Sequence, residues 1–158
     1  MNQDARVQIV DFKETHVAAM EHRGDPAPIA DTVAKFIEWR RQAGLPPKTS
    51  ATFNILYNSP VDTAPEDCRL DLCAATDREI APDEAGIVSK IIPGGRCAVL
   101  RHIGSEDGLG EAVSYLCRHW FPQSGEKRRD FPVFFQRVSF FPEVPEYETV
   151  IDIFLPLE

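Results

Sequence analysis

Two aspartates lie inside short apolar runs of the sequence. Asp71 is part of LDLC at 70–73, and Asp152 is part of IDIF at 151–154. A carboxylate in a half-buried strand costs free energy unless it is paired with a cation or stays hydrated. Each aspartate is therefore either the floor of a site for a cationic or hydrogen-bonding ligand, or part of a structural salt bridge or hydrated sheet face. The residues alone leave both interpretations open.

Aromatic residues supply the second component of such a site. Four of them lie late in a predicted helix, at a strand end or within a strand: Trp39, Tyr57, Trp120 and Phe134. Aromatic rings beside a carboxylate bind a flat lipophilic cation through stacking and charge. Taken singly, each ring is more simply a core residue. The combination of rings and acids is what indicates a ligand site.

The chain contains a faint internal repeat that positions these residues. Segment 17–24 (VAAMEHRG) resembles segment 97–104 (CAVLRHIG), so that His22 and His102 correspond at an offset of 80 residues (102 − 22). The run around Asp71 matches the run around Asp152 at an offset of 81 (152 − 71). Several matches in order at a nearly constant offset indicate a duplication.

Each half is predicted to contain two strands, a helix and two further strands, which gives an α+β fold with antiparallel sheets and helices on one face. The first helix should start near Asp25 and Pro26 and stop at Gly44, and Pro122 should end the second. The predicted strands cover residues 6–10, 16–22, 52–57, 69–75, 86–92, 96–102, 131–138 and 148–155. We expect one domain over residues 1–158, with repeat halves at about 6–80 and 86–158.

Strand alternation predicts which side chains point away from the helices. Leu72 should lie under the first helix and Asp71 on the opposite face. In the last strand, Glu148 and Asp152 should likewise point away from the helix. Two halves of this tandem β-α-β-β type should pack about a pseudo-two-fold axis and leave a central cleft, where small molecules tend to bind.

Composition argues against several classes of partner. The formal net charge is −8, and an acidic surface repels the phosphates of nucleic acid. No run approaches the roughly 20 apolar residues of a membrane span, and the N-terminus lacks the features of a signal peptide. We therefore expect a cytoplasmic protein that binds neither nucleic acid nor membrane.

Metal and cofactor motifs are not recognisable. The four cysteines form no C-x-x-C pair, and no cysteine–histidine spacing matches a zinc site. His22 and His102 are better explained by equivalent structural positions at strand ends than as metal ligands. We expect no metal and no cofactor, and no spacing singles out a catalytic triad.

Five segments carry a family resemblance: 36–40 (FIEWR), 65–73 (PEDCRLDLC), 92–104 (IPGGRCAVLRHIG), 120–125 (WFPQSG) and 152–157 (DIFLPL). They are similar to the GyrI-like family of small-molecule-binding domains, which is related to the effector-binding domains of AraC-type regulators such as Rob and of the multidrug regulator BmrR. The resemblance covers roughly residues 7–157, and the Pro-Gly-Gly segment with its following strand is its most specific part.

The resemblance implies tandem β-α-β-β modules and a hydrophobic central pocket, in which an acidic residue receives lipophilic and often cationic ligands. By position in the last strand, that acid corresponds to Glu148 or Asp152. Many family members carry an aromatic residue where this chain has Cys97, which implies a wider pocket here.

Members of the family act as sensors of transcription regulators, as stand-alone proteins that bind toxic compounds or modulate DNA gyrase, or as hydrolases of reactive cyclopropane-bearing compounds. We expect this chain to be a stand-alone binding protein for a lipophilic drug or toxin, with DNA gyrase or a separate regulator as its protein partner. One alternative is a hydrolase in which Glu148 or Asp152 positions water and Tyr57 is the acid. Another is a gyrase modulator that acts by protein–protein contact.

Overall fold

The computed structural model describes residues 7–24, 29–47, 49–58, 64–80, 86–104, 108–139 and 144–158. The strands are β1 (Val7–Phe12), β2 (Thr15–Arg23), β3 (Thr52–Leu56), β4 (Arg69–Ala75), β5 (Ile87–Ile92), β6 (Gly95–Ile103), β7 (Val133–Ser139) and β8 (Val150–Pro156). The helices are α1 (Ile29–Ala43), α2 (Leu109–Ser114) and α3 (Phe121–Ser124), with a π-helical segment at Tyr115–Trp120 and 3₁₀ turns at Pro65–Asp67 and Glu146–Glu148. No helix within these ranges is long and apolar enough to cross a lipid bilayer.

One compact unit consists of Glu14–Ile92. Its four strands are antiparallel and lie in the order β5-β2-β4-β3. Helix α1 covers one face of this sheet, where Phe36 and Trp39 pack in a buried cluster with Met20 and Leu72. The apolar positions of α1 recur at helical spacing, so the helix buries one side against the sheet. Strands β2, β3 and β4 are buried on both faces, as their runs of consecutive buried residues show.

Helix α1 ends in a hydrogen-bonding pattern that its sequence dictates. Gly44 has a φ of +74°, a left-handed conformation that glycine adopts without steric cost. The N–H of Leu45 donates to the carbonyl of Arg40 at 2.9 Å, and the N–H of Gly44 donates to that of Arg41 at 3.4 Å. This is the Schellman arrangement, and it confirms the predicted end of the helix. The predicted start at Asp25 and Pro26 lies outside the described residues.

The other compact unit comprises the described residues of Met1–Lys13 and Pro93–Glu158. Its strands are also antiparallel, in the order β1-β6-β8-β7. Ala112 and Leu116 are the buried residues of its helical segments. The two units therefore share one strand order, and the structure confirms the α+β class and the duplicated order of elements.

One edge strand of each unit comes from the other half of the sequence repeat: β1 in the unit of β6, and β5 in the unit of β2. Strand β1 pairs with β6, and β5 pairs with β2, although β1 precedes β2 and β5 precedes β6 directly in the chain. The repeat visible in the sequence and the compact units of the structure thus have different boundaries. This exchange places β5 next to β2, so that only β2 lies between β5 and β4, the strand that contains Asp71.

Two predicted boundaries are wrong. Pro122 does not end the second helix, which continues through α3 to Ser124 and stops at Gly125 with a φ of 75°. The π-helical segment ends at Trp120, so Pro122 comes just after the widened turn of the continuing helix. The last strand begins at Val150, so Glu148 lies in the preceding 3₁₀ turn, where its N–H donates to the carbonyl of Pro145 at 2.8 Å.

Truncation of Phe36 should destabilise the protein by about 3–5 kcal/mol, because the ring is only 4% exposed and its loss leaves a cavity under α1. The matched control is Ile37→Ala, since Ile37 is the next residue of the same helix but is 60% exposed. Urea unfolding of both variants measures the difference. Equal losses in Phe36→Ala and Ile37→Ala would contradict the packing described for α1.

Candidate functional site

The sheet of the Glu14–Ile92 unit has a second buried face, away from α1. Asp71 and Cys73 of β4 point to this face and lie opposite Ile55 and Phe53 of β3 in the strand register. All four residues are buried, and Asp71 is completely so. A charged side chain thus lies among apolar neighbours in the interior, where it must find partners.

The partners of Asp71 form an ionic cluster, which we define as Glu21, Tyr57, Arg69, Asp71 and Lys90. The Lys90 ammonium donates to Oδ2 of Asp71 at 2.6 Å, and the Tyr57 hydroxyl donates to the same oxygen at 2.6 Å. On the outer side of the cluster, Glu21 Oε1 accepts from Lys90 at 3.1 Å and from Arg69 at 3.0 Å. Strand pairing explains why Glu21 belongs to the cluster, because Glu21 lies directly opposite Asp71 in the register of β2 and β4.

The Lys90 ammonium is fully engaged. It also donates to the Tyr57 oxygen at 3.0 Å, so its three hydrogens meet three acceptors, on Asp71, Glu21 and Tyr57. Its nitrogen lies 5.1 Å from the centre of the Tyr57 ring, and the Arg69 guanidinium lies over that ring at 4.2 Å. These distances are within the range of cation–π contact.

The cluster shifts the proton affinities of its members. Burial opposes the charge of Lys90, but its hydrogen bonds with Asp71, Tyr57 and Glu21 hold the lysine pKa above its usual range. The hydrogen bond from Lys90 lowers the pKa of Glu21 to about 2, and the hydrogen bond from Arg69 acts in the same direction. Desolvation of the Glu21 carboxylate opposes this shift but does not outweigh it. Burial, followed by the hydrogen bond to Asp71, raises the pKa of Tyr57. The ionised form of Glu21 is therefore stabilised by its cations, and the Tyr57 hydroxyl stays protonated.

One oxygen of Asp71 has a different environment from the other. Lys90 and Tyr57 both bind Oδ2, whereas among the described residues no donor reaches Oδ1. A buried carboxylate oxygen that accepts no hydrogen bond costs free energy. The cluster reaches solvent through Arg69, Glu21 and Lys90, whose side chains are 36%, 29% and 21% exposed. An acceptor oxygen thus lies in the interior behind a partly exposed lysine.

The second predicted aspartate has a simpler partner. Asp152 of β8 lies opposite Arg101 of β6, and the guanidinium holds the carboxylate through two bonds, from Nε at 2.8 Å and from Nη2 at 3.0 Å. Arg101 corresponds by the repeat offset to Glu21. The equivalent strand position therefore carries an acid in one unit and a cation in the other.

The remaining four predicted residues lie in four different environments. Phe134 stacks on Phe154 at 4.8 Å between ring centres, and Phe12 contacts both rings edge-on at 5.0 and 5.2 Å, all within the unit that contains β8. Trp39 belongs to the core under α1, and Trp120 lies half-buried at the end of the π-helical segment. Glu148 is exposed before β8.

Sequence reasoning did not identify Lys90, Glu21 or Arg69. Glu21 and Arg69 can be found from strand alternation once β2 is paired with β4. Lys90 requires knowing that β5 pairs with β2, where it lies opposite Val17. The two histidines occupy equivalent places, as expected: Nδ1 of His22 lies 2.7 Å from Oγ1 of Thr32, and the His102 ring lies against Gly108. No group of three possible metal ligands occurs in the described ranges.

The duplicated α+β fold is that of a class of small-molecule-binding domains, and comparison with known proteins identifies the family. Residues 5–158 match the GyrI-like small-molecule-binding domain. The probable transcriptional regulator YgiV of Escherichia coli (strain K12) is 38% identical over 152 residues, which cover 96% of this chain and 95% of YgiV. This chain belongs to the GyrI-like family.

Solved structures agree with the fold. The crystal structure of the EcmrR C-terminal domain matches with a TM-score of 0.77 at 15% identity and covers 96% of both chains. SAV2435 bound to tetraphenylphosphonium matches with a TM-score of 0.60 at 9% identity, covering 96% of this chain and 93% of SAV2435. At these identities the likeness concerns the fold alone.

Acid should destabilise the protein in a window set by Glu21. Because its folded pKa of about 2 lies below the ordinary value of 4.5, ionised Glu21 stabilises the fold above pH 4.5, and this stabilisation disappears as the pH falls towards 2. Glu21→Gln should remove most of this loss, on the order of 2 kcal/mol. Urea unfolding at several pH values between 5 and 2 measures it.

The control for this measurement is Glu38→Gln, which alters an exposed ion pair with Arg41 and an exposed hydrogen bond from Gln42, both within α1. Exposed pairs contribute little to stability, so this variant should retain most of the wild-type pH dependence. A Glu21→Gln variant with the same acid profile as the wild type would show that the ionic cluster does not stabilise the fold.

Proposed function

We propose that this chain binds a lipophilic organic molecule at the ionic cluster of the Glu14–Ile92 unit, with Asp71 as the polar anchor. The observation that carries the proposal is the completely buried Asp71 carboxylate, whose Oδ1 meets no donor among the described residues. A ligand that supplies a hydrogen bond there removes a cost that the protein otherwise bears. Phe53, Ile55 and Cys73 on the same sheet face favour an apolar ligand body.

The family supports this proposal at the level of ligand class. GyrI-like domains bind small molecules, and a neighbour of the same fold was solved with tetraphenylphosphonium, a lipophilic cation. That ligand makes aromatic cations and their neutral analogues the first compounds to test. YgiV is a probable transcriptional regulator, which favours a role in transcriptional regulation for this chain as well.

The hydrolase alternative receives less support from the geometry. Its proposed acid, Tyr57, already donates a hydrogen bond to Asp71, and burial raises the pKa of the Tyr57 hydroxyl. Of the two candidate carboxylates, Asp152 accepts two hydrogen bonds from Arg101, and Glu148 is exposed to solvent. A water-activating base works best when it is desolvated and free to accept a proton from its water; Glu148 lacks the first property and Asp152 the second.

The gyrase-modulator alternative depends on a protein surface and is separable by experiment. Purified DNA gyrase either binds this chain in a direct pull-down and changes its supercoiling activity, or it does not. A gyrase effect that persists in a variant with an altered Asp71 would assign the protein contact to a surface other than the ionic cluster.

Replacement of Asp71 by asparagine should weaken ligand binding at least tenfold. Lys90 and Tyr57 both donate to Oδ2, so the amide oxygen must keep that place and the NH₂ group must replace Oδ1. The hydrogen-bond donor of the ligand then faces this NH₂ group, which is itself a donor, and the hydrogen bond to the anchor is lost. Differential scanning fluorimetry and tryptophan quenching with triphenylmethanol and tetraphenylphosphonium measure the change, since ligand at about 100 times its Kd should add roughly 2.7 kcal/mol of stability.

Asp152→Asn is the matched control, because it alters the equivalent aspartate of the other unit and should leave the affinity unchanged. Far-UV circular dichroism verifies that both variants fold. Binding that is lost in Asp152→Asn and kept in Asp71→Asn would place the anchor at Asp152. Failure of the wild type to bind either compound would contradict the binding proposal for this ligand class.

A further inference from the structure

We propose that Lys90 occupies the cation position of the site, so that this chain selects neutral lipophilic molecules bearing a hydrogen-bond donor over organic cations. The inference rests on the proposed binding function and names its ligand class. It starts from a lysine that belongs to the protein itself and makes the contacts that a bound cation would make.

The contacts of the Lys90 ammonium are those of a bound cationic ligand. Two carboxylates, from Asp71 and Glu21, lie within 2.6 and 3.1 Å of its nitrogen, and the Tyr57 ring lies at 5.1 Å. Sites for organic cations combine the same elements, namely acidic groups and aromatic faces. The difference is that this cation is covalently attached to β5 and is present at all times.

The negative charges of the ionic cluster are already compensated. Glu21 and Asp71 contribute two negative charges, Arg69 and Lys90 contribute two positive charges through direct contacts, and the exposed Arg23 adds a third at 3.1 Å from Oε2 of Glu21. A cationic ligand that enters beside Lys90 adds an uncompensated positive charge in a partly buried place. A cationic ligand that displaces Lys90 must break three hydrogen bonds of its ammonium group. Both routes disfavour organic cations.

A neutral donor meets neither obstacle. Lys90 and Tyr57 converge on Oδ2 of Asp71, and Oδ1 is the oxygen that no donor among the described residues reaches. A hydroxyl or amide N–H can complete the coordination of this carboxylate without altering the charge. Hydrogen bonds to a charged acceptor are stronger than those between neutral groups, so one such contact contributes substantially to selectivity.

The fold does not require a lysine at this position. Lys90 of β5 lies opposite Val17 of β2. The corresponding residue of the other unit is Val10 of β1, which lies opposite Cys97 of β6. Both edge strands pair normally with their neighbours. The lysine is therefore particular to the unit with the buried aspartate, which fits a role in setting the charge of the site.

Three probes of similar shape test the selectivity: triphenylmethanol, which has one hydroxyl donor, triphenylmethane, which has none, and tetraphenylphosphonium, which is a permanent cation. Titration calorimetry and tryptophan quenching give their affinities at a low, fixed fraction of dimethyl sulfoxide. The wild type should bind triphenylmethanol at least tenfold more tightly than either of the other probes.

Lys90→Met removes the charge and keeps the length of the side chain. This variant should bind tetraphenylphosphonium at least tenfold more tightly than the wild type does, because Asp71 and Glu21 then lack their internal cation. Lys35→Met, on the exposed surface of α1, is the control for a general change in net charge and should bind all probes as the wild type does. If Lys90→Met does not fold, Lys90→Gln retains a donor to Asp71 without the charge and gives the same measurement.

The outcomes separate the two proposals. In one outcome, the wild type binds tetraphenylphosphonium and triphenylmethanol with equal affinity, and Asp71→Asn binds neither. This result would support the binding function and overturn the role of Lys90 in selectivity. An unchanged affinity of Lys90→Met or Lys90→Gln for the cation would overturn it as well. Absence of binding of every probe to the wild type and to the lysine variants would contradict the binding function and the selectivity together.

Discussion

A buried carboxylate needs a cation, and in this protein that need determines how one half is organised. Asp71 is completely enclosed, so its charge is tolerated only because Lys90 and Tyr57 bind one of its oxygens. Lys90 reaches it because β5 pairs with β2, and Glu21 joins because β2 pairs with β4 in the register that sets it opposite Asp71. The exchange of edge strands between the sequence halves is thus tied to the electrostatics of the buried sheet face, since without β5 the aspartate would lack its closest cation.

The two units show that one strand plan accommodates different chemistry. At the position of Glu21, the other unit has Arg101, which binds Asp152 directly and needs no lysine on the edge strand. The sheet face of that unit carries stacked phenylalanines, Phe134 and Phe154, in place of a multi-residue ionic cluster. Duplication therefore preserved the fold and the aspartate, while the surrounding residues came to neutralise it in two ways. An equal pattern of acids in the sequence does not imply an equal environment.

Much of the fold could be predicted from the sequence because it depends on local periodicity. The alternation of Leu70, Asp71, Leu72 and Cys73 assigns faces correctly, and Gly44 marks the end of α1 through its backbone conformation. The charged partners of Asp71 could not be predicted, because they come from strands 19 to 50 residues away whose pairing the repeat itself obscures. Glu148 was assigned to the wrong element because a 3₁₀ turn after Pro145, held by its own backbone bonds, delays the start of β8 by two residues.

The position of an acid in a binding domain consequently says less about ligand charge than the position of the nearest cation does. A carboxylate attracts a cation from solution only to the extent that the protein leaves its charge uncompensated, and a tethered ammonium at 2.6 Å removes that driving force. What remains of Asp71 is an acceptor oxygen in a low-dielectric environment, where a single hydrogen bond discriminates strongly between ligands with and without a donor. A substitution on an edge strand such as β5 can therefore change the ligand class of the site while the acid, the aromatic ring and the fold stay the same.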